Sequence, residues 1–146
     1  MSKPFVSRSL TDTRAWAEAF LESLEPHNQA TVVALSGDLG AGKTAFVKEL
    51  ANLMGVPIHD VTSPTFVIEK IYAISHSHFT HLIHIDAYRL EEEKELVSLG
   101  WNDVSVDPKN IILIEWPEMV KGLIPNDAEK ITFRFVDEET REITRI

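Results

Sequence analysis

Residues 37–44 read Gly-Asp-Leu-Gly-Ala-Gly-Lys-Thr and satisfy the pattern G-x-x-x-x-G-K-[ST] in full. A loop of this kind presents several backbone N–H groups to the α and β phosphates of a nucleotide, and glycine allows the close approach because it has no Cβ. Gly37, Gly40 and Gly42 supply that freedom, with Asp38, Leu39 and Ala41 between them. Lys43 can bridge β and γ phosphate oxygens, and the Thr44 hydroxyl can ligate Mg²⁺. Chance produces this pattern in only about one per few hundred chains of this length at ordinary residue usage. A nucleoside triphosphate is therefore the expected ligand.

Two acids stand where such a ligand would need them. Asp86 closes the run Leu82-Ile83-His84-Ile85, and Glu115 closes Ile111-Ile112-Leu113-Ile114. In open α/β sheets ligands bind at the carboxyl ends of the strands, so both acids face the phosphates. One is expected to contact Mg²⁺ and the other to orient or deprotonate the attacking water, in an order that the residues themselves leave open. His84 and Arg89 flank Asp86 as candidates for a structural ion pair or hydrogen bond. His76, His78 and His81 fall in a polar connection and read as solvent-exposed loop residues, not as a transition-metal site. Trp16 reads as core, and Trp116 sits at the mouth of the expected site.

The elements that must position these groups follow from periodicity. Residues 31–35 are β-branched and apolar, as in a central parallel strand, and lead straight into the glycine loop. Residues 45–54 are good helix formers bounded by Gly55 and Pro57. Residues 10–24 space Trp16, Phe20, Leu21 and Leu24 as an amphipathic helix capped by Ser9 or Thr11. Further strands are expected at 66–74, 82–85 and 111–114, with a hairpin connection at 75–80 and a charged helix at 91–99 closed by Gly100. Ile131, Phe133 and Phe135 alternate with polar residues, and 141–146 forms a second strand after a turn at 137–140. The fold class is α/β, a mostly parallel central sheet with an antiparallel C-terminal hairpin.

The 146 residues suit one domain, and zero cysteines exclude disulfides and thiolate chemistry. The net charge of -9, from 23 acidic and 14 basic residues, opposes independent binding to a nucleic acid backbone and favours protein partners. No apolar run approaches a membrane span and Met1-Ser2-Lys3-Pro4 does not open a secretion signal, so a cytoplasmic protein is expected.

Four blocks resemble one family in order and spacing: Ser36 to Thr44, Ser63-Pro64-Thr65-Phe66, His84-Ile85-Asp86-Ala87-Tyr88-Arg89-Leu90, and Ile114-Glu115-Trp116-Pro117-Glu118. Together they closely resemble the bacterial TsaE (YjeE) family, with Ala87 in place of the usual leucine and Ala17 where glycine is frequent. The resemblance implies a P-loop NTPase-like three-layer sandwich and a small ATPase needed to make N6-threonylcarbamoyladenosine at position 37 of tRNA. In that family the protein acts with TsaB and TsaD, and ATP hydrolysis supports repeated turnover by TsaD. Carried onto matching positions, Thr44 and Glu115 hold Mg²⁺, Asp86 assists hydrolysis, residues 39–44 wrap the phosphates, Arg141 touches the nucleotide, and Thr11 and Thr13 lie near the base. The loop around Thr65 is expected to respond to the γ-phosphate.

The competing reading is a small-molecule P-loop kinase, which needs an arginine-bearing lid and an acceptor pocket for which this chain has little spare length. A GTP-dependent switch lacks support because neither Asn-Lys-x-Asp nor Asp-x-x-Gly occurs in the chain.

Overall fold

Strands covered on both faces must be apolar on both faces, and the central ones here are. The structure is a computed structural model and describes residues 3–61 and 68–146. Its elements are β1 (Phe5–Ser7), α1 (Leu10–Ser23), β2 (Thr31–Ser36), α2 (Lys43–Leu53), β3 (Glu69–Ala73), β4 (His81–Asp86), α3 (Glu93–Ser98), α4 (Trp101–Val104), β5 (Asn110–Glu115), β6 (Glu129–Phe135) and β7 (Arg141–Arg145). The strands form one seven-stranded sheet in the order β1-β7-β6-β2-β5-β4-β3. Its centre is parallel, β6 with β2, β2 with β5 and β5 with β4. Antiparallel pairs close both edges, β1–β7 and β6–β7 on one side and β3–β4 on the other.

Alternation along each strand sends side chains to two separate cores. Val33, Leu35, Leu82, Ile111 and Leu113 pack with Phe20 of α1 and Phe46, Val47 and Leu50 of α2. Val32, Ile83, Ile85, Ile112 and Ile114 pack with Leu96 of α3, Trp101 of α4 and Val120. The result is helix, sheet and helix in three layers. Phe46, fully buried, makes ring contacts with Trp16, Phe20 and Phe133, with centroids 5.7, 5.9 and 5.5 Å away. Trp16 itself lies at the rim, stacked on Phe20 and packed against this core. Arg14 bonds Asn52 and the buried Glu49 and so ties α1 to α2.

Several boundaries differ from those read in the sequence. Ser9, not Thr11, caps α1, its hydroxyl accepting from the Asp12 N–H. The charged helix begins at Glu93, because Glu92 is still extended, and it stops at Gly100, whose φ of 99° is left-handed. A second short helix, α4, then follows. The three-residue strand β1 was not expected, nor was the 3₁₀ segment Pro117–Leu123. His81 opens β4 instead of lying in the connection. The connection itself is anchored by Phe79, which is buried and stacks on His76 at 5.2 Å. Residues 62–67, which include the Ser63-Pro64-Thr65-Phe66 block, lie outside the described residues. No helix among the described residues is long and apolar enough to cross a membrane.

Glu69 on the edge strand β3 is partly buried, its Oε1 has no hydrogen-bond partner, and burial raises its carboxyl above the usual range. A carboxyl raised on folding contributes stability below its unfolded value and loses it as the pH climbs through the folded one. Glu69→Gln, neutral at every pH, is therefore expected to raise the melting temperature near pH 7. The gain should shrink as the pH falls toward about 4 and vanish only well below it, where Glu69 is protonated in both states. A gain that is instead largest at low pH, measured by thermal melts across that range, contradicts the assignment.

Candidate functional site

The glycine loop leaves β2 at Ser36 and enters α2 at Lys43. Gly37, Gly40 and Gly42 all have positive φ, at 148°, 79° and 107°. At Gly37 the need is steric as well, since a Cβ there would sit 2.5 Å from the Phe133 carbonyl oxygen. At Gly40 a Cβ would meet nothing within 4 Å, so there the requirement is the left-handed backbone alone. The Phe46 N–H makes a bond of 3.0 Å to the Gly42 carbonyl, and α2 has no side-chain cap. The amides of its first turn, on Lys43, Thr44 and Ala45, thus have no partner within the helix, an arrangement that with the positive end of the helix dipole is able to receive an anion.

Lys43 is 4% exposed. Its ammonium donates to the Gly37 carbonyl and lies 3.8 Å from the centroid of the Trp116 ring. Burial lowers its pKa, against the opposing pull of Glu115, Glu118, Asp86 and Asp38. Trp116 reaches this position with φ 59° and ψ 53°, a left-handed backbone that bulky residues seldom adopt, and its ring also contacts Tyr88 at 4.9 Å.

Parallel pairing sets the two acids side by side. Asp86 and Glu115 are register partners at the ends of β4 and β5, and alternation puts both, together with His84, on the face that carries α2. The Tyr88 N–H donates to Asp86 Oδ1 at 3.0 Å. Burial raises the Asp86 carboxyl, the Tyr88 bond works against this, and the nearby Glu115 adds to it. Glu115 is 4% exposed, with Oε2 2.6 Å from His84 Nε2. His84 is thus the partner of Glu115, a pairing that the sequence placed no closer than the flank of Asp86. Arg89 is exposed. Thr44, Asp86 and Glu115 offer hydroxyl and carboxylate oxygens, the donors that Mg²⁺ prefers when phosphates and water complete its shell. No group of three or more His, Asp or Glu residues able to hold a metal ion by itself occurs among the described residues.

Beside the loop lies a cavity of about 500 Å³ walled by α1, the β1–α1 corner and the C-terminal hairpin. Gly42, Thr13, Ser7 and Arg141 line it, whereas Thr11 is exposed and not on its wall. Arg141 spans from β7 to the loop, donating from Nε to the Gly40 carbonyl at 2.9 Å and from Nη1 to the Asp137 and Thr140 carbonyls. Ser7 Oγ donates to the Ser9 carbonyl at 3.0 Å, so the 2.7 Å contact between Ser7 and Thr13 is a bond donated by Thr13. Ser7, in a strand that the sequence did not announce, was missed for that reason. The alternation of His84, Asp86 and, on the next strand, Glu115 was a usable signal for their common face.

A parallel-centred sheet with this glycine loop at the end of β2, and carboxylates at the ends of its parallel neighbour β5 and of β4 beyond it, defines an α/β protein of the phosphate-loop class. The family profile described as "Threonylcarbamoyl adenosine biosynthesis protein TsaE" matches residues 7–143, and the chain belongs to the TsaE family. It is 34% identical over 136 residues to a Rickettsia bellii protein, covering 93% of this chain and 89% of that one. It is 37% identical over 139 residues to a Treponema pallidum protein, covering 95% and 96%. Both relatives are named tRNA threonylcarbamoyladenosine biosynthesis protein TsaE. The crystal structure of Bacillus subtilis YdiB superimposes with a TM-score of 0.71 at 28% identity, covering 99% of this chain and 86% of that one.

The two kinds of glycine should respond differently to alanine. Gly40→Ala faces only the cost of a left-handed backbone, about 1–2 kcal/mol, while Gly37→Ala adds a collision with the Phe133 carbonyl. Urea denaturation should show Gly37→Ala as clearly the more destabilised. Equal losses would mean that the close approach to β6 is not what fixes Gly37.

Proposed function

We propose that this protein binds Mg·ATP in the glycine loop and hydrolyses it to ADP and phosphate in the cytoplasm. In this reading hydrolysis serves threonylcarbamoyladenosine modification of tRNA at adenosine 37, with TsaB and TsaD as partners and TsaD turnover as the step supported. Membership of the TsaE family supports the pathway. The observation that carries the chemistry is the buried Lys43 ammonium between a helix N-terminus and the Asp86–Glu115 pair. The acidic balance of -9 supports contact with tRNA through partners instead of directly.

Each residue has a physical task in this reading. The amides of residues 39–44 cradle the phosphates, and Lys43 neutralises charge on the β and γ phosphoryl oxygens. Thr44 and Glu115 would hold Mg²⁺, which supplies charge neutralisation on the phosphates when bound. Asp86, its plane set by the Tyr88 N–H and its basicity raised by burial, orients the attacking water and accepts its proton as the bond to the β–γ bridging oxygen breaks. Adenine suits the cavity for a reason of hydrogen-bond direction. Thr13 spends its only proton on Ser7, so it offers the cavity lone pairs alone. These accept from the 6-amino group of adenine and repel the 6-oxo group of guanine.

Phosphate release is to be measured with the protein alone and with TsaB, TsaD and tRNA. The reading expects release into water that rises strongly with the partners. Phosphate appearing on a metabolite would favour the kinase instead. Lys43→Ala should weaken ATP binding about 100-fold, losing charge-assisted bonds worth about 3 kcal/mol. Asp86→Asn should keep binding and lower kcat by about 10²- to 10⁴-fold. Binding abolished in Asp86→Asn, with the rate per bound nucleotide intact, would overturn its role. Separately, Thr13→Val should narrow the preference for ATP over GTP by about 5- to 10-fold. An unchanged ratio in competition binding would remove Thr13 from base selection.

A further inference from the structure

His84 is fully buried on a central strand, and the mechanism above gives it no task. Its Nε2 lies 2.6 Å from Glu115 Oε2, within the range of short, charge-assisted hydrogen bonds. Its other ring nitrogen, Nδ1, is buried without a partner. The carboxylate can only accept, so the ring donates through Nε2, and Glu115 is the partner of the one ring nitrogen that has a bond. That arrangement is costly for a residue whose role is packing alone. An orphaned buried polar atom costs about 1–3 kcal/mol, and an apolar side chain would fill the same space without one. Neighbouring positions on the same face, Leu82 and Leu113, are filled in that apolar way.

From this geometry we infer that His84 is a positioning residue: it fixes one oxygen of Glu115 by a bond from Nε2 and so holds the carboxylate in the orientation that receives Mg²⁺ with the nucleotide. The inference rests on the Mg·ATP reading and deepens it. A carboxylate with 5% of its side chain exposed has few water molecules to hold it, and its torsions remain free unless a neighbour fixes them. The histidine ring is a rigid neighbour. It stands on the strand that pairs directly with β5, two residues before Asp86, so the sheet itself sets the distance from ring to carboxylate. Ligands held by such an outer partner bind metal about 10- to 100-fold more tightly than when the partner is removed. His84 touches neither the nucleotide nor the reacting atoms in this account. Its effect passes entirely through Glu115.

The test uses the full chain and ADP as probe, titrated by calorimetry with Mg²⁺ at a series of concentrations and with chelator. His84→Gln and His84→Met have side chains of nearly equal length, and only the first carries a terminal N–H that can reach Glu115. The magnesium concentration giving half of the metal-dependent tightening should rise about 10- to 100-fold in His84→Met. It should return to within about threefold of wild type in His84→Gln, and metal-free ADP affinity should stay within about twofold in both. Melting temperatures without nucleotide are recorded alongside. Should His84→Met fail to fold, His84→Asn replaces it, with the same amide one bond too short to reach. Wild-type magnesium dependence in the variant without a reaching donor overturns the inference. Equal losses in the Gln and Met variants, with metal-free affinity falling in parallel, overturn it in favour of a packing role. If wild type itself binds ADP with no magnesium dependence, the Mg²⁺ reading of Thr44 and Glu115 falls, and this inference falls with it.

Discussion

Lys43 carries a positive charge at a place where water scarcely reaches it, and the end of the sheet is built around the cost of doing so. Burial alone favours the neutral amine, as the lowered pKa indicates. The charge is sustained by a carbonyl of its own loop, by the face of Trp116, and by acids that arrive from three other segments. None of these groups is a full counter-ion in contact. The site therefore keeps an ammonium that is partly compensated and held in place, a state that polyphosphate would complete. The left-handed backbone of Trp116 belongs to the same constraint, because it brings the indole over the ammonium at the point where β5 ends.

The rest of the molecule can be understood as the apparatus that brings those groups together. Parallel pairing of β4 with β5 is what makes Asp86 and Glu115 neighbours, and a shift of one residue would turn each acid to the opposite face. That register is secured by apolar residues on both sides, Ile83, Ile85, Ile112 and Ile114 toward α3 and α4, and Leu82, Ile111 and Leu113 toward α1 and α2. The C-terminal hairpin contributes in a second way. It places Phe133 under Gly37 and Arg141 across Gly40, so β6 and β7 define the glycine loop from outside. Antiparallel additions to a parallel core are thus part of the site and not merely an edge.

Much of this was legible in the residues. The strand, loop and helix order around residues 37–44 follows from apolar β-branched residues, glycines and helix formers in succession, and each survives in β2 and α2. The buried strands β4 and β5 were evident because an apolar run closed by an acid matches the carboxyl end of a strand covered on both faces. What escaped reading depended on tertiary pairing. The three residues of β1 carry no periodicity and become a strand only because β7 offers an edge. Glu91 and Glu92 look helical by charge, yet the chain must first turn away from the sheet at Leu90, whose N–H bonds the Ala87 carbonyl. The attachment of His84 to Glu115 joins residues 31 apart in sequence, and strand register decides it. Ser7 and Thr13 form their hydroxyl relay only after β1 and α1 meet at a corner.

The central claim is that the glycine loop and the buried Lys43 receive the polyphosphate. Backbone and indole resonances of ¹⁵N-labelled protein, followed by NMR during titration with Mg²⁺ and ADP, test it most directly. The account predicts that the largest shifts fall on the amides of Gly37 to Thr44 and on the Trp116 indole as Lys43 leaves its ring. Saturable binding with those resonances unmoved, and shifts gathered elsewhere on the molecule, would contradict it.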